Sequence, residues 1–174
     1  VFTVRPATGA DTAGVVSMIA ARCDWMERRG LESWRENVDD LAGQAASGSM
    51  WVLQAQGRIV GCATVMTQPP PKDWTAEEAA EPSLYLFTTV TDPAYREAGP
   101  GTLIALWAVD RAARQGRKWV RRGCFFPELV AYYETQGFVL VKEQDRSAGH
   151  LYLLARRAER LDLGRLGVAE SPEV

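Results

Sequence analysis

The apolar positions change their period several times along the chain, and each change marks an element. Phe2 to Arg5 is short and β-prone, and Pro6 ends it. Val15, Ile19, Cys23 and Met26 then recur at helical spacing. Thr8 and Asp11 form a capping pair at the start of that helix, and Gly30 stops it. Asn37 and Asp40 read as a second cap, opening a short helix that ends near Gly48. Two strands, Met50 to Ala55 and Arg58 to Met66, flank Gln56-Gly57, a two-residue hairpin turn. The prolines at 69, 70 and 71 exclude a central strand there; the segment is a loop, with room for a short helix capped by Thr75 and Glu78.

Ser83 to Thr91 reads as a strand, and Gly99 to Gln115 as a helix with Leu103, Ile104, Trp107, Ala108 and Ala112 on one face. Trp119 to Phe125 is again strand-like. Pro127 to Gln136 is a helix with proline in its first turn and Gly137 as its stop. Phe138 to Lys142 and Leu151 to Arg156 form a closing hairpin, and the segment after Ala158 is weakly patterned, with fraying expected from Glu170 to Val174. The pattern implies an α/β (α+β) fold: a mixed, mostly antiparallel twisted sheet of about six or seven strands, flanked by about four helices. Parallel pairing is expected around the Gly99–Gln115 crossover. Residues 1–158 are expected to form one domain, and residues 159–174 a C-terminal tail.

Composition narrows the function classes. A chain of 174 residues with 47% apolar and 24% charged residues can bury a core of its own. A formal net charge of −2 gives no basic footprint for nucleic acid or an anionic membrane surface. Cys23, Cys62 and Cys124 are widely spaced and odd in number, so neither a disulfide framework nor a Cys-x-x-Cys metal pair is expected. No apolar run approaches the roughly 20 residues that span a bilayer, and no signal peptide is visible. A reduced, cytoplasmic chain is the expectation.

Two short segments carry chemistry. Arg96-Glu97-Ala98-Gly99-Pro100-Gly101-Thr102 lies between a strand and a helix. A pyrophosphate needs converging donors and a backbone it can approach closely. Glycines remove obstructing side chains, and a helix start supplies N–H groups and partial positive charge. From this heptad alone, a plain glycine turn into a surface helix explains the pattern equally well. The second segment is Ala131-Tyr132-Tyr133-Glu134-Thr135-Gln136-Gly137-Phe138. Tyrosines of an amphipathic helix commonly pack in a core, and that is the reading for Tyr132.

Taken together, Val90, the Arg96-x-x-Gly99-x-Gly101 helix start, the following strand and Tyr133-x-x-x-Gly137-Phe138 resemble the GNAT superfamily of acyl-CoA N-acyltransferases. The likeness spans roughly Phe2 to Arg156. It implies that backbone groups of Thr88, Thr89 and Val90 pair with the pantetheine arm of coenzyme A. Backbone N–H groups from Glu97, Ala98, Gly99, Gly101 and Thr102, with the side chain of Arg96, hold its pyrophosphate. It also implies that Tyr133 assists departure of the sulfur and that the backbone near Val90 serves the carbonyl oxygen. Three departures stand out: Pro100 removes one donor, one extra residue lies between Val90 and Pro93, and Phe126 stands where an asparagine often precedes the tyrosine helix.

The implied activity is transfer of an acetyl or other short acyl group from acetyl-CoA to the amine of a small molecule, without a metal. With a thiol near 8.5 and tyrosine near 10, full proton transfer to the sulfur is uphill by roughly 2 kcal/mol, so a strong hydrogen bond serves as well. The strand Ser83 to Val90 offers no Asp, Glu or His as a base. His150, at the closing hairpin, is the one histidine; a solvated loop histidine is the plainer reading. Asp73 and Glu77 are no better, and water or a neutral acceptor would suffice. Trp25, Trp34, Trp51 and Trp74 lie in segments that line the acceptor cleft in this family, whereas Trp107 and Trp119 are expected in the core. Trp25, Trp34 and Trp74, with His150, are the acceptor-pocket candidates. Two alternatives stay open: a donor thioester on an acyl carrier protein, and a non-catalytic acyl-CoA-binding or dimerisation module. A homodimer is compatible with all of these.

Overall fold

The computed structural model describes residues 1–171. Its eight strands are β1 (Phe2–Pro6), β2 (Met50–Ala55), β3 (Arg58–Met66), β4 (Ser83–Thr91), β5 (Trp119–Cys124), β6 (Val139–Arg146), β7 (Gly149–Arg157) and β8 (Val168–Glu170). They lie in one sheet of order β6-β7-β5-β4-β3-β2-β1-β8. The pairs β1/β2, β2/β3, β5/β7 and β6/β7 are antiparallel, and β4/β5 and β1/β8 are parallel. Five α-helices accompany them: α1 (Thr12–Arg28), α2 (Val38–Gly43), α3 (Ala76–Ala80), α4 (Pro100–Arg114) and α5 (Pro127–Thr135). Among the described residues no helix is long and apolar enough to cross a membrane. Contacts divide the chain into two compact units.

The first unit comprises Val1–Val65, Thr88–Ile104 and the segment from Leu163 on. Its core gathers the apolar stripe of α1 (Val15, Met18, Ile19, Cys23) with Met50, Val52 and Cys62 of the strands. The Thr8–Asp11 pair acts as expected on one side: the Thr8 N–H donates to Asp11 Oδ2 at 2.8 Å. A 3-10 turn, Gly9–Asp11, intervenes before α1. The Asn37 side chain makes no cap. A 3-10 turn, Arg35–Asn37, runs straight into α2, and the Asn37 N–H donates to Trp34 O at 2.7 Å. The β2–β3 turn has positive φ at both Gln56 (52°) and Gly57 (74°), as a tight two-residue hairpin requires.

The weakly patterned C-terminal segment holds one more strand than expected. β8 pairs with β1 from Phe2↔Val168 to Val4↔Glu170, and Val168 is buried. Glu170 is therefore ordered within a strand, and the Ser171 N–H donates to Val4 O at 2.9 Å. The rest of the segment expected to fray, residues 172–174, lies outside the described residues.

The second unit comprises Met66–Phe87 and Ala105–Asp162. The Thr75–Glu78 box closes fully: the Glu78 N–H donates to Thr75 Oγ1 at 3.1 Å and the Thr75 N–H to Glu78 Oε1 at 2.8 Å. The apolar face expected on α4 is buried at all five positions. Trp107 is fully enclosed, while Trp119 is half-buried against the second core. β6 runs four residues past Lys142, because its second half is a charged edge strand with no apolar signal to read.

Candidate active site

The expected site residues divide between the units. Thr88, Thr89, Val90, the turn Arg96 to Thr102, Trp25 and Trp34 belong to the first; Tyr133, Trp74 and His150 belong to the second.

β4 begins as an ordinary parallel partner of β5, from Ser83↔Trp119 to Leu86↔Arg122. The ladder ends there, although β5 continues against β7 through Gly123↔Leu153 and Cys124↔Tyr152. Two residues later Thr88 turns to φ 43°. The left-handed region is costly for a β-branched residue, so the backbone here is held by its surroundings rather than by preference. Beyond this break Arg22 of α1 grips the strand's last residue: Nε donates to Thr91 O at 2.9 Å and Nη2 to Thr91 Oγ1 at 2.7 Å.

Asp92 anchors the turn that follows. It is 1% exposed; Oδ1 accepts the Ala94 N–H at 2.9 Å and Oδ2 accepts from Arg58 Nη2 at 3.0 Å. Its own N–H donates to Val60 O at 2.9 Å, beside the register shift of the β2–β3 hairpin. Pro93–Ala98 forms a 3-10 turn, and Gly99 reverses the chain at φ 63°, ψ 53°, a conformation glycine adopts without steric cost. α4 then starts at Pro100, and the Leu103 N–H donates back to Gly99 O at 3.1 Å. The heptad therefore does open a helix N-terminus, where backbone N–H groups have no preceding turn to accept them and an anion is favoured. The Gly99 N–H is already committed to Arg96 O at 3.1 Å, which narrows the expected donor set. Pro100 loses a donor but suits a first helical position.

Positive charge gathers beside this turn. Trp25 carries three guanidinium groups around its ring, with Cζ atoms of Arg29, Arg22 and Arg96 at 3.9, 4.9 and 5.8 Å from the centroid. Trp25, expected on the acceptor side, is thus brought together with the arginine of the glycine turn. Trp34 is exposed at the start of the 3-10 turn before α2, and Trp51 is buried. Cys62 is a buried thiol pushed up to about 12, mainly by burial, with a hydrogen bond to the Val90 backbone pulling weakly the other way. It is no nucleophile at neutral pH.

In the second unit, Phe126 enters α5 in extended geometry without a side-chain cap, and Pro127 takes the first turn. Gly137 ends it at φ 87°, under the Arg156 guanidinium, where a Cβ would come within 3.1 Å of Nη1. Tyr133 lies half-buried with its ring 3.7 Å from the Cζ of Arg122. Burial holds its hydroxyl above the usual phenol range, and the Arg122 charge, with a hydrogen bond from the guanidinium, opposes that shift. Tyr132 is a correction: expected in the core, it is 41% exposed, because a short helix buries one narrow face, taken in α5 by Val130, and Tyr132 lies off it.

Trp74 is a second correction. Expected to wall a pocket, it packs with Tyr85, Leu151, Leu153 and Ala155 in the core of this unit. Its Nε1 donates to Tyr85 Oη at 3.4 Å, and Arg121 and Lys142 lie 4.5 and 5.2 Å from its ring, so its edges and faces are taken. His150 is on the exposed start of β7. Its Nδ1 lies 2.7 Å from Asp145 Oδ1 and its Nε2 2.8 Å from Glu143 Oε1. Two carboxylates, Asp145 first, raise its pKa and favour the imidazolium, the wrong form for a base. Asp73 is paired with Arg146 at 2.8 Å.

Three features escaped the sequence reading: the left-handed Thr88, the Arg22 grip and Arg122. Only the last had a visible signal, a pair of arginines inside an otherwise buried strand, Trp119-Val-Arg-Arg-Gly-Cys124.

Residues 18–138 match the acetyltransferase (GNAT) family. The chain is 25% identical over 131 residues to S-(2-succino)cysteine N-acetyltransferase of Bacillus subtilis strain 168, covering 73% of this chain and 76% of that protein. Among solved structures, a GNAT-family acetyltransferase from Listeria monocytogenes 4b F2365 superposes with a TM-score of 0.70 at 15% identity, covering 90% of this chain and 94% of the other. N-acetylglutamate synthase from Neisseria gonorrhoeae, in complex with coenzyme A and N-acetyl-glutamate, matches with a TM-score of 0.60 at 19% identity, over 92% of this chain and 36% of that one.

Proposed function

The chain belongs to the GNAT acetyltransferase family, and from that premise we propose that it transfers an acetyl or other short acyl group from coenzyme A to the amine of a small molecule. The observation that carries the reading is the run from Thr88 to Thr102. A strand loses its neighbour's ladder, turns through a left-handed residue and ends in a helix start facing a cluster of arginines. Coenzyme A, when bound, supplies the acyl group as a thioester.

In this reading, backbone groups of Thr88, Thr89 and Val90 take the pantetheine arm as an added strand. Glu97, Ala98, Gly101 and Thr102 offer backbone N–H groups to the pyrophosphate, and Arg96 adds charge. A backbone N–H near Val90 steadies the carbonyl oxygen as it gains negative charge. Tyr133 donates its proton, or a strong hydrogen bond, to the departing sulfur. No side chain is assigned as base: His150 is held toward its charged form, and water takes the amine's proton. Small acceptors are in keeping with the S-(2-succino)cysteine in the name of one matched protein and the N-acetyl-glutamate bound to another.

Two observations bear on the donor. Pro100 and the committed Gly99 N–H reduce the turn's donors, as an acyl carrier protein donor would tolerate. Arg29 and Arg96, which share the Trp25 ring with the Thr91-bound Arg22, weigh the other way, since only free coenzyme A brings the additional phosphates they suit. The test is to incubate the protein with acetyl-CoA, or acetyl-phosphopantetheine, and a panel of amines, and follow free thiol. Amine-dependent release that falls sharply with acetyl-phosphopantetheine is expected. No release with any amine, together with no coenzyme A binding in calorimetry, overturns the assignment.

A further inference from the structure

β5 carries two consecutive arginines, and both are almost wholly buried: Arg121 is 2% exposed and Arg122 3%. Neighbouring strand residues face opposite sides of a sheet, so the two charges enter different environments. Arg121 is explained by structure. Its Nη1 donates to Glu78 O at 2.8 Å, Nη2 lies 3.9 Å from Glu81 Oε1, and its guanidinium stacks on Trp74. It ties α3 to the sheet.

Arg122 has a different neighbourhood. Its Cζ sits 3.7 Å from the centre of the Tyr133 ring and 5.5 Å from that of Phe138, and its Nη1 donates to Gln136 Oε1 at 3.4 Å. Tyr133, Gln136 and Phe138 all come from the end of α5 and the chain just beyond it, so one buried cation organises that corner. Burying a cation is costly, and replacing it with an apolar residue is often neutral or better for stability. Its placement over the ring of a tyrosine gives it a use beyond stability.

We propose that Arg122 is the positioning residue of the tyrosine: it fixes the Tyr133 ring and supplies the positive charge against which the hydroxyl gives up its proton. The inference rests on the role given to Tyr133 above. As the amine nitrogen bonds to the carbonyl carbon, the carbon–sulfur bond breaks and its electron pair goes to sulfur. The Tyr133 proton moves to that sulfur and yields the thiol; the phenolate left behind faces the guanidinium, and the proton that the amine gives up to water restores it. Burial alone makes Tyr133 a poorer acid, and the other titratable neighbours, Cys124 on β5 and Tyr132 on α5, push in the same direction. Arg122 is the one charge there that acts for ionisation.

The test reads the phenol directly as well as the rate. 3,5-Difluorotyrosine placed at position 133 titrates nearer neutral pH and is followed by fluorine NMR, in the parent chain and in R122M, R122Q and R122K. R122M is expected to move the midpoint up by about one pH unit or more, since an opposite charge this close shifts a pKa by about 1–3. It should lower kcat by about tenfold while KM for acetyl-CoA stays within about twofold, and R122K should recover part of both. Should R122M not fold, R122Q keeps a polar end for Gln136 and is read in the same way. A folded, charge-free variant with an unmoved midpoint and normal kcat overturns the proposal, as does a rise in KM alone. If Y133F turns over normally while the midpoint still follows Arg122, the catalytic role of the tyrosine fails and the pairing stands. If Y133F is slow and the midpoint does not move, the pairing alone fails.

Discussion

The turn after β4 and the end of α5 are made of different materials. In the proposed reading the working groups around Thr88 to Thr102 are mainly main-chain atoms, with charge added by Arg96, and Arg22 and Asp92 pin that backbone in place. At Tyr133 the proposed working group is one hydroxyl, set by the charge and burial around it. Backbone donors have nothing to titrate and no side chain to delete, so damage there has to come through shape and should register in donor binding. A buried hydroxyl can be removed without disturbing shape, so damage there should register in turnover and in its pH dependence.

The sharpest separation comes from Tyr133→Phe. It keeps the ring and its stacking on Arg122 and removes the hydroxyl alone. For a general acid the expected loss is about 10²–10⁴ in kcat, with acetyl-CoA affinity nearly unchanged. Tyr132→Phe is the control, and it is a surface control, since Tyr132 is exposed; it should leave kcat within about twofold. Near-normal turnover in the first variant, or a worse loss in the second, would break the comparison.

Gly101→Val should do the reverse. A branched side chain in the first turn of α4 obstructs phosphate approach while the fold survives. Losing one or two hydrogen bonds to a charged group, at about 1.5–3 kcal/mol each, weakens acetyl-CoA binding about tenfold or more. Calorimetry on the folded variant measures it, and unchanged affinity would remove the turn from the donor site. Arg22→Met is the subtler version. It releases Thr91 O and Oγ1 without touching the turn itself, and should raise KM for acetyl-CoA about three- to tenfold through the loosened strand end. A fall in kcat with unchanged KM would show that Arg22 serves the chemistry rather than the backbone.

The same division explains what could be read from the chain. β2, β3 and β4 fall at the expected bounds because β-prone apolar runs and a two-residue turn are local signals. The glycine turn and the α5 stop were legible for the same reason, since Gly99 and Gly137 hold positive φ. What escaped depends on distant parts of the chain. Thr88 is a good strand former, and only its tertiary setting forces it to φ 43°. β8 is three residues long and has no periodicity of its own; β1, at the other end of the sequence, defines it. Trp74 looked available because its segment is poorly patterned, yet contacts with β4 and β7 enclose it. Arg122 was visible as an oddity, a charge in a buried strand, but its partner lies in another element.

His150 tests the limit of the comparison, because it resembles side-chain chemistry yet lacks the burial that gives charge its strength at Tyr133. Both ring nitrogens face carboxylates, Asp145 and Glu143, across the β6–β7 hairpin. Those partners raise the folded-state pKa above the unfolded one. The sign follows from linkage: the stabilisation is fully present below the ordinary histidine range and is lost as pH rises through the raised folded value. The ring and both carboxylates are largely open to water, so the gain is screened. His150→Gln should therefore melt slightly earlier than the parent chain near pH 5.5, and the gap should be smaller near pH 9, since it closes as pH rises through the folded-state titration. Turnover at neutral pH should stay within about twofold, since both ring nitrogens are engaged by carboxylates that favour the charged ring over a base. Melting curves at the two pH values and one rate measurement separate the roles. A kcat loss of more than about tenfold would return His150 to the chemistry as its base. A stability gap that widens toward high pH would mean that the neutral ring, and not the cation, is what the hairpin holds.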